Sequence, residues 1–271
     1  MRTWPTRLLF TTLVWLASVT SAPAAPIPHS PYFRAFVGYA TQALGDVNDD
    51  VQAWSSYLSP RSTSLDWEEI GGAANFGGEI GYHVSPLVSV GFGVGYQKGS
   101  QDHTATIDFT DIGGTSYFGS FAEEPEVSVL DFYGAVTLWV PATPGLHFGG
   151  QIGAARGKYE LSQATDITAS DGSFEVSTFT GEADKTVLSA GLYAGYEVPV
   201  APMVAVSGRA GYRFCDFGHM NGDFTFAGTD DVGPFFETGS GQVTNFDGNP
   251  MSIDLSGLQL HVGLILKFPS Y

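Results

Sequence analysis

Seven charged side chains stand apart from the other charges of this chain, each among small and apolar neighbours: Arg34, Glu79, Asp131, Glu197, Arg209, Arg213 and Lys267. Around Glu79, for example, Phe76, Gly78, Ile80 and Tyr82 alternate with Gly77, Glu79, Gly81 and His83. A strand sends successive side chains to opposite faces. The charges therefore share a face with Gly, Ser and Ala, and the opposite face is apolar. Acids and bases on one enclosed face can pair and fill an interior. Alternatively they can line a path for ions or small solutes, which His83, His147 and His261 would make pH-sensitive. Strand depth places Glu79 and Asp131 beside Arg209 and Arg213, and Glu197 beside Arg34 and Lys267.

Other constellations are weaker. Asp46, Asn48 and Asp50 have the opening spacing of a calcium-binding loop, but Val51 stands where its glycine belongs and Tyr57 where its closing glutamate belongs. No specific metal site is expected, only loose divalent condensation on acidic loops. Cys215 is the sole cysteine, so an internal disulfide is excluded. No G-x-S-x-G, H-E-x-x-H or phosphate-cradling loop occurs in a suitable context. Neither a cofactor nor an enzyme activity is expected.

The elements that must position these residues follow from period-two alternation. Eight strands are predicted, with apolar faces Phe33–Tyr39, Phe76–Val84, Val88–Tyr96, Leu130–Leu138, Leu146–Ala154, Leu188–Val198, Val204–Phe214 and Leu258–Phe268. Connections after the second, fourth and sixth are short and bear proline; those after the first, third, fifth and seventh run far longer. The long segments 42–74, 99–126, 160–184 and 216–254 hold 25 of the 28 acids and a single base, Arg61. Within the predicted strands no acid lies on the apolar face. An even number of hairpin-linked strands can close and lose its edges.

Residues 1–24 read as a signal peptide: Arg2 and Arg7, the apolar run Leu8–Ala17, then Ala22-Pro23-Ala24. Their removal takes away two arginines and no acids, moving the formal charge from −17 to −19. Such a chain repels nucleic-acid phosphates, so nucleic acid is not expected as a partner. Residues 25–271 form one domain.

The last predicted strand, Gly257–Phe268, has one unbroken apolar face of Leu258, Leu260, Val262, Leu264, Leu266 and Phe268, and ends on an aromatic. It resembles the closing strand of bacterial outer-membrane β-barrels, from which it departs by the tail Pro269-Ser270-Tyr271. In layout the chain resembles the small members of that class, of the OmpA transmembrane-domain, OmpX and opacity-protein type. The resemblance implies an all-β, antiparallel up-and-down transmembrane barrel of eight strands, with ten as the alternative, short periplasmic turns and long extracellular loops. It implies a place in the outer membrane of a Gram-negative cell, and recognition of Leu264, Leu266 and Phe268 by the barrel-assembly machinery. Lipid and lipopolysaccharide are then partners, with Lys98, Arg156 and Lys158 forming an outward basic rim at the height of its phosphates. His83-Val84-Ser85 resembles the His-x-Ser element of lipid A deacylases, but lies beside the periplasmic turn at Pro86 with no companion glutamate. The expected role is structural or interactive. The lumen is plugged by charge pairs, and the loops bear Trp54, Trp67, Tyr117, Phe118, Phe235 and Phe236 for envelope integrity, adhesion or binding of host or surface ligands. A narrow channel is the alternative, and a lipid-modifying enzyme a remote one.

Overall fold

The computed structural model describes residues 27–269; the predicted signal peptide lies outside the described residues, as do Ser270 and Tyr271. Fourteen strands and one α-helix follow in chain order: β1 (Ser30–Ala40), α1 (Gly45–Leu58), β2 (Ser62–Asp66), β3 (Ala73–His83), β4 (Val88–Ser100), β5 (His103–Thr110), β6 (Ser116–Trp139), β7 (Leu146–Ala169), β8 (Phe174–Ala201), β9 (Val204–Phe214), β10 (Asp216–His219), β11 (Asn221–Asp230), β12 (Pro234–Gln242), β13 (Ser252–Asp254) and β14 (Gly257–Lys267).

Eight of these strands close a ring in the order β1, β3, β4, β6, β7, β8, β9, β14, every neighbour antiparallel. Closure is made by β1 against β14, from Tyr32 opposite Lys267 to Ala40 opposite Gln259. No sheet edge is left in the ring, the condition for strands to cross a bilayer. The predicted parity holds all round: Val37 is 64% exposed, Ile80 62%, Phe92 56% and Leu188 72%, while Arg34, Glu79, Asp131 and Glu197 are buried. An outward apolar band backed by a filled polar interior is the arrangement of a transmembrane β-barrel.

The long loops are largely strand. β6 and β7 run 24 residues each and β8 runs 28, more than twice the 9–11 or so that cross a bilayer. Their outer halves rise above the apolar band and template further pairing: β5 adds to β6 and β2 to β5, and β11 adds to β8 and β12 to β11. The acid-free outward face of the predicted strands does not continue up these extensions, where Glu126, Glu160, Glu182 and Asp184 point outward. Lipid no longer dictates that face.

A cap closes the mouth opposite the short turns. The helix α1 buries Val47, Val51 and Leu58, residues spaced to share one helix face. It packs over Val127, Tyr159, Phe217, Met251, Ile253 and Leu255, with Leu58 extending to Ala105, Ile107 and Phe121. The short pair β10–β13 supplies much of that apolar floor.

Candidate functional site in the lumen and the cap

The lumen is narrow because cross-strand positions alternate bulky aromatics with glycine. Tyr32 lies opposite Gly81, Phe36 opposite Gly77, Tyr133 opposite Gly93 and Tyr193 opposite Gly149. A Cβ on any of these four glycines would overlap the facing ring. The rings thus lie flat over their neighbours and take up the space a channel would need.

Between them sits an ion network centred on Glu79 of β3. Arg209 of β9 reaches across the lumen, Nη1 to Oε2 at 3.0 Å and Nη2 to Oε1 at 3.5 Å. The Tyr32 hydroxyl donates to Oε1 at 2.7 Å. Arg34, directly opposite Glu79 in the β1–β3 register, brings Nη1 to 4.0 Å from Oε2 and donates from Nε to Ser207 Oγ at 3.2 Å. Nearer the end with the short turns Lys267 pairs with Glu197. There His83 Nδ1 lies 2.6 Å from Ser89 Oγ, which also accepts from Trp139 Nε1 at 2.8 Å. His147 packs at a tilt on Trp139, and His261 stacks on Phe36 nearer the cap.

Two expected groupings are corrected. Arg34 joins Glu79 and Arg209 rather than Glu197, because strand register places it beside Glu79. Asp131 and Arg213 come no closer than the ion-pair limit: Asp131 accepts from Ser189 Oγ at 2.8 Å, and Arg213 Nη2 donates to the Leu255 carbonyl at 2.9 Å. Ser85 is a turn residue, its hydroxyl accepting from the amides of Leu87 and Val88, and the partner of His83 is Ser89.

The outward cations are already matched. Lys98 pairs with Glu126 at 2.6 Å, Arg156 with Asp184 at 3.1 Å, and Lys158 with both Glu160 at 2.9 Å and Glu182 at 3.0 Å. Leu264, Leu266 and Phe268 all face outward on the closing strand and its end.

The acidic triplet at 46–50 is not a loop but the first turns of α1, and its oxygens serve backbone amides. Asp46 accepts from Ser252, Asn48 from Ile70 and Asp50 from Phe246. These bonds tie two distant segments onto the helix. Asp50 is pushed up to about 6 by burial, with Glu123 and Asp247 adding to the shift against the Phe246 hydrogen bond. Glu123 also meets His103: Nδ1 lies 3.6 Å from Oε1, the imidazole Nε2 contacts the Glu68 carbonyl at 2.7 Å, and Trp67 stacks on the ring. Burial opposes the imidazolium, but these partners together raise the pKa of His103. Sequence reasoning missed this acid–base cluster, since its members come from four separate segments.

The loop aromatics divide in two. Trp54 stacks on Phe121, Tyr117 on Phe109, and Phe235 packs on Phe226, so these hold the cap together. Phe118 and Phe236 are exposed, at 51% and 73%. Beside the first group opens a cleft of about 530 Å³. Trp54, Tyr57, Phe109 and Tyr117 are among its walls, Arg61 lies over Tyr57, and Glu175, Asp230 and Asp231 contribute carboxylates.

No family model matches the sequence, and no curated protein matches it. Among solved structures the chain is similar to a major outer membrane protein from Thermus thermophilus, at 16% identity over 89% of this chain and 100% of that one, with a TM-score of 0.39. It is similar to Acinetobacter baumannii CarO at 14% identity over 89% and 98% of the two chains, TM-score 0.41. It is also similar to the outer membrane protease OmpT from Escherichia coli at 12% identity over 92% and 100%, TM-score 0.36. Likenesses this distant carry no functional argument, and the barrel rests on its own strand pairing.

Proposed function

We propose that this small outer-membrane β-barrel works through its surface rather than through its lumen: it reinforces the envelope and presents a rigid, acidic, aromatic-bearing cap to ligands outside the cell. The observation that carries this reading is the contrast between its two openings. The lumen around the Glu79 network retains a cavity of about 30 Å³, room for one or two waters. The cleft of the cap is more than ten times larger and lies at the end of the barrel opposite the short turns. Eight strands enclose only enough space for side chains to fill, and here cross-lumen bonds also tie β3 to β9.

Single-channel recording of the refolded mature protein in planar bilayers tests the reading, alongside Glu79→Gln and Arg209→Gln. Electrical silence from a folded, heat-modifiable barrel is expected. A steady conductance that changes with either substitution would replace this reading with a narrow channel for ions or small solutes.

A further inference from the structure

We propose that the lumen holds one monatomic anion, a halide such as chloride, among the guanidinium groups of Arg34, Arg209 and Arg213. The first reason is charge balance. The membrane-spanning lumen contains four bases, Arg34, Arg209, Arg213 and Lys267, against three acids, Glu79, Asp131 and Glu197, among the described residues. An unmatched charge enclosed within a barrel wall and lipid is costly and calls for a counter-charge. Glu197 is taken by Lys267, and Glu79 is shared between Arg209 and Arg34. Arg213, only 3% exposed, has no carboxylate within 4.0 Å among the described residues, and Asp131 and Asp254 act on it only from farther away.

The second reason is where the free donors lie. Arg34 Nη2, Arg209 Nε, Arg213 Nε and the Gln97 amide are buried without a protein partner. All four residues line the same chamber of about 30 Å³. Asp131 also lines it and is held by Ser189, so the chamber is not uniformly cationic, but its lining counts three arginines, two of which share Glu79, against that one carboxylate. A chamber this small admits a bare halide and excludes an organic anion.

The protein is refolded in bromide, crystallised, and examined by anomalous diffraction at the bromine edge. A bromide peak against the three arginines is expected in the wild type and in Arg213→Lys, and none in Arg213→Gln, whose lumen is balanced without the ion. In parallel, Tm is compared in chloride and in gluconate at equal ionic strength. It should be higher in chloride for the wild type and Arg213→Lys, and the same in both salts for Arg213→Gln. If Arg213→Gln does not refold, the wild type decides alone. Water without a bromide signal in the chamber, together with equal Tm values in the two salts, would overturn the proposal.

Discussion

Gly93 in β4 stands opposite Tyr133 of β6, and a side chain there would overlap the tyrosine ring. The same relation recurs at Gly81, Gly77 and Gly149, so these glycines are packing positions rather than sites of flexibility. Gly93→Ala should therefore force Tyr133 from its place beside the Glu79 network and destabilise the barrel by about 1–3 kcal/mol, the usual cost of overpacking. Gly208 provides the control, since a Cβ there meets nothing within 4 Å. Urea unfolding in lipid vesicles should show a loss for Gly93→Ala and none for Gly208→Ala. Equal losses would mean that strand propensity, not ring packing, sets the cost. The parity of these residues was legible in the sequence. Their partners were not, because which glycine faces which ring depends on register across strands, and that is also why Arg34 was expected beside Glu197.

The ring strands were legible because lipid demands an apolar residue at every outward position, which writes a period of two into each segment. Above the membrane that demand ends, and the outer halves of β6, β7 and β8 carry outward acids that disguise them as loops. Helix α1 did leave a signal in Val47, Val51 and Leu58, but its acids resembled a cation loop at the same positions. The element-scale prediction concerns how this helix is held. His103 has its pKa raised in the fold, so its contribution is fully present below the ordinary histidine value and is lost as pH rises through the raised one. Asp50, raised from 3.8 to about 6, favours the protonated form in the fold, and its contribution is likewise lost as pH climbs through about 6. The groups facing them act in the same direction: Glu123 and Asp247 add to the upward shift of Asp50, and Glu123 and Asp66 to that of His103. Amide hydrogen exchange in α1, corrected for intrinsic rates, should show weaker protection at pH 8 than at pH 5.5. His103→Gln should flatten the difference. Protection that is equal at the two pH values in the wild type would exclude a titrating latch.

At the scale of the whole molecule, charge is sorted along the barrel axis. The turns 84–87, 140–145 and 199–203 carry no charged residue, whereas the opposite end carries nearly all of the acids. An end that dense in carboxylates cannot cross hydrocarbon cheaply, while short uncharged turns can. Asymmetry of this kind keeps an assembled barrel from turning over, and the surface role proposed above requires that the cap face outward. Single cysteines can report this, because the native Cys215 is buried and contributes little background. Ile112, at the tip between β5 and β6, is fully exposed, and Ala142 lies exposed in an uncharged turn. On intact cells a membrane-impermeant maleimide should label Ile112→Cys and leave Ala142→Cys unmodified, with both labelled after the outer membrane is permeabilised. Labelling of Ala142→Cys alone on intact cells would invert the barrel and remove the cap, its acidic cleft and the pH-sensitive latch from the cell surface together.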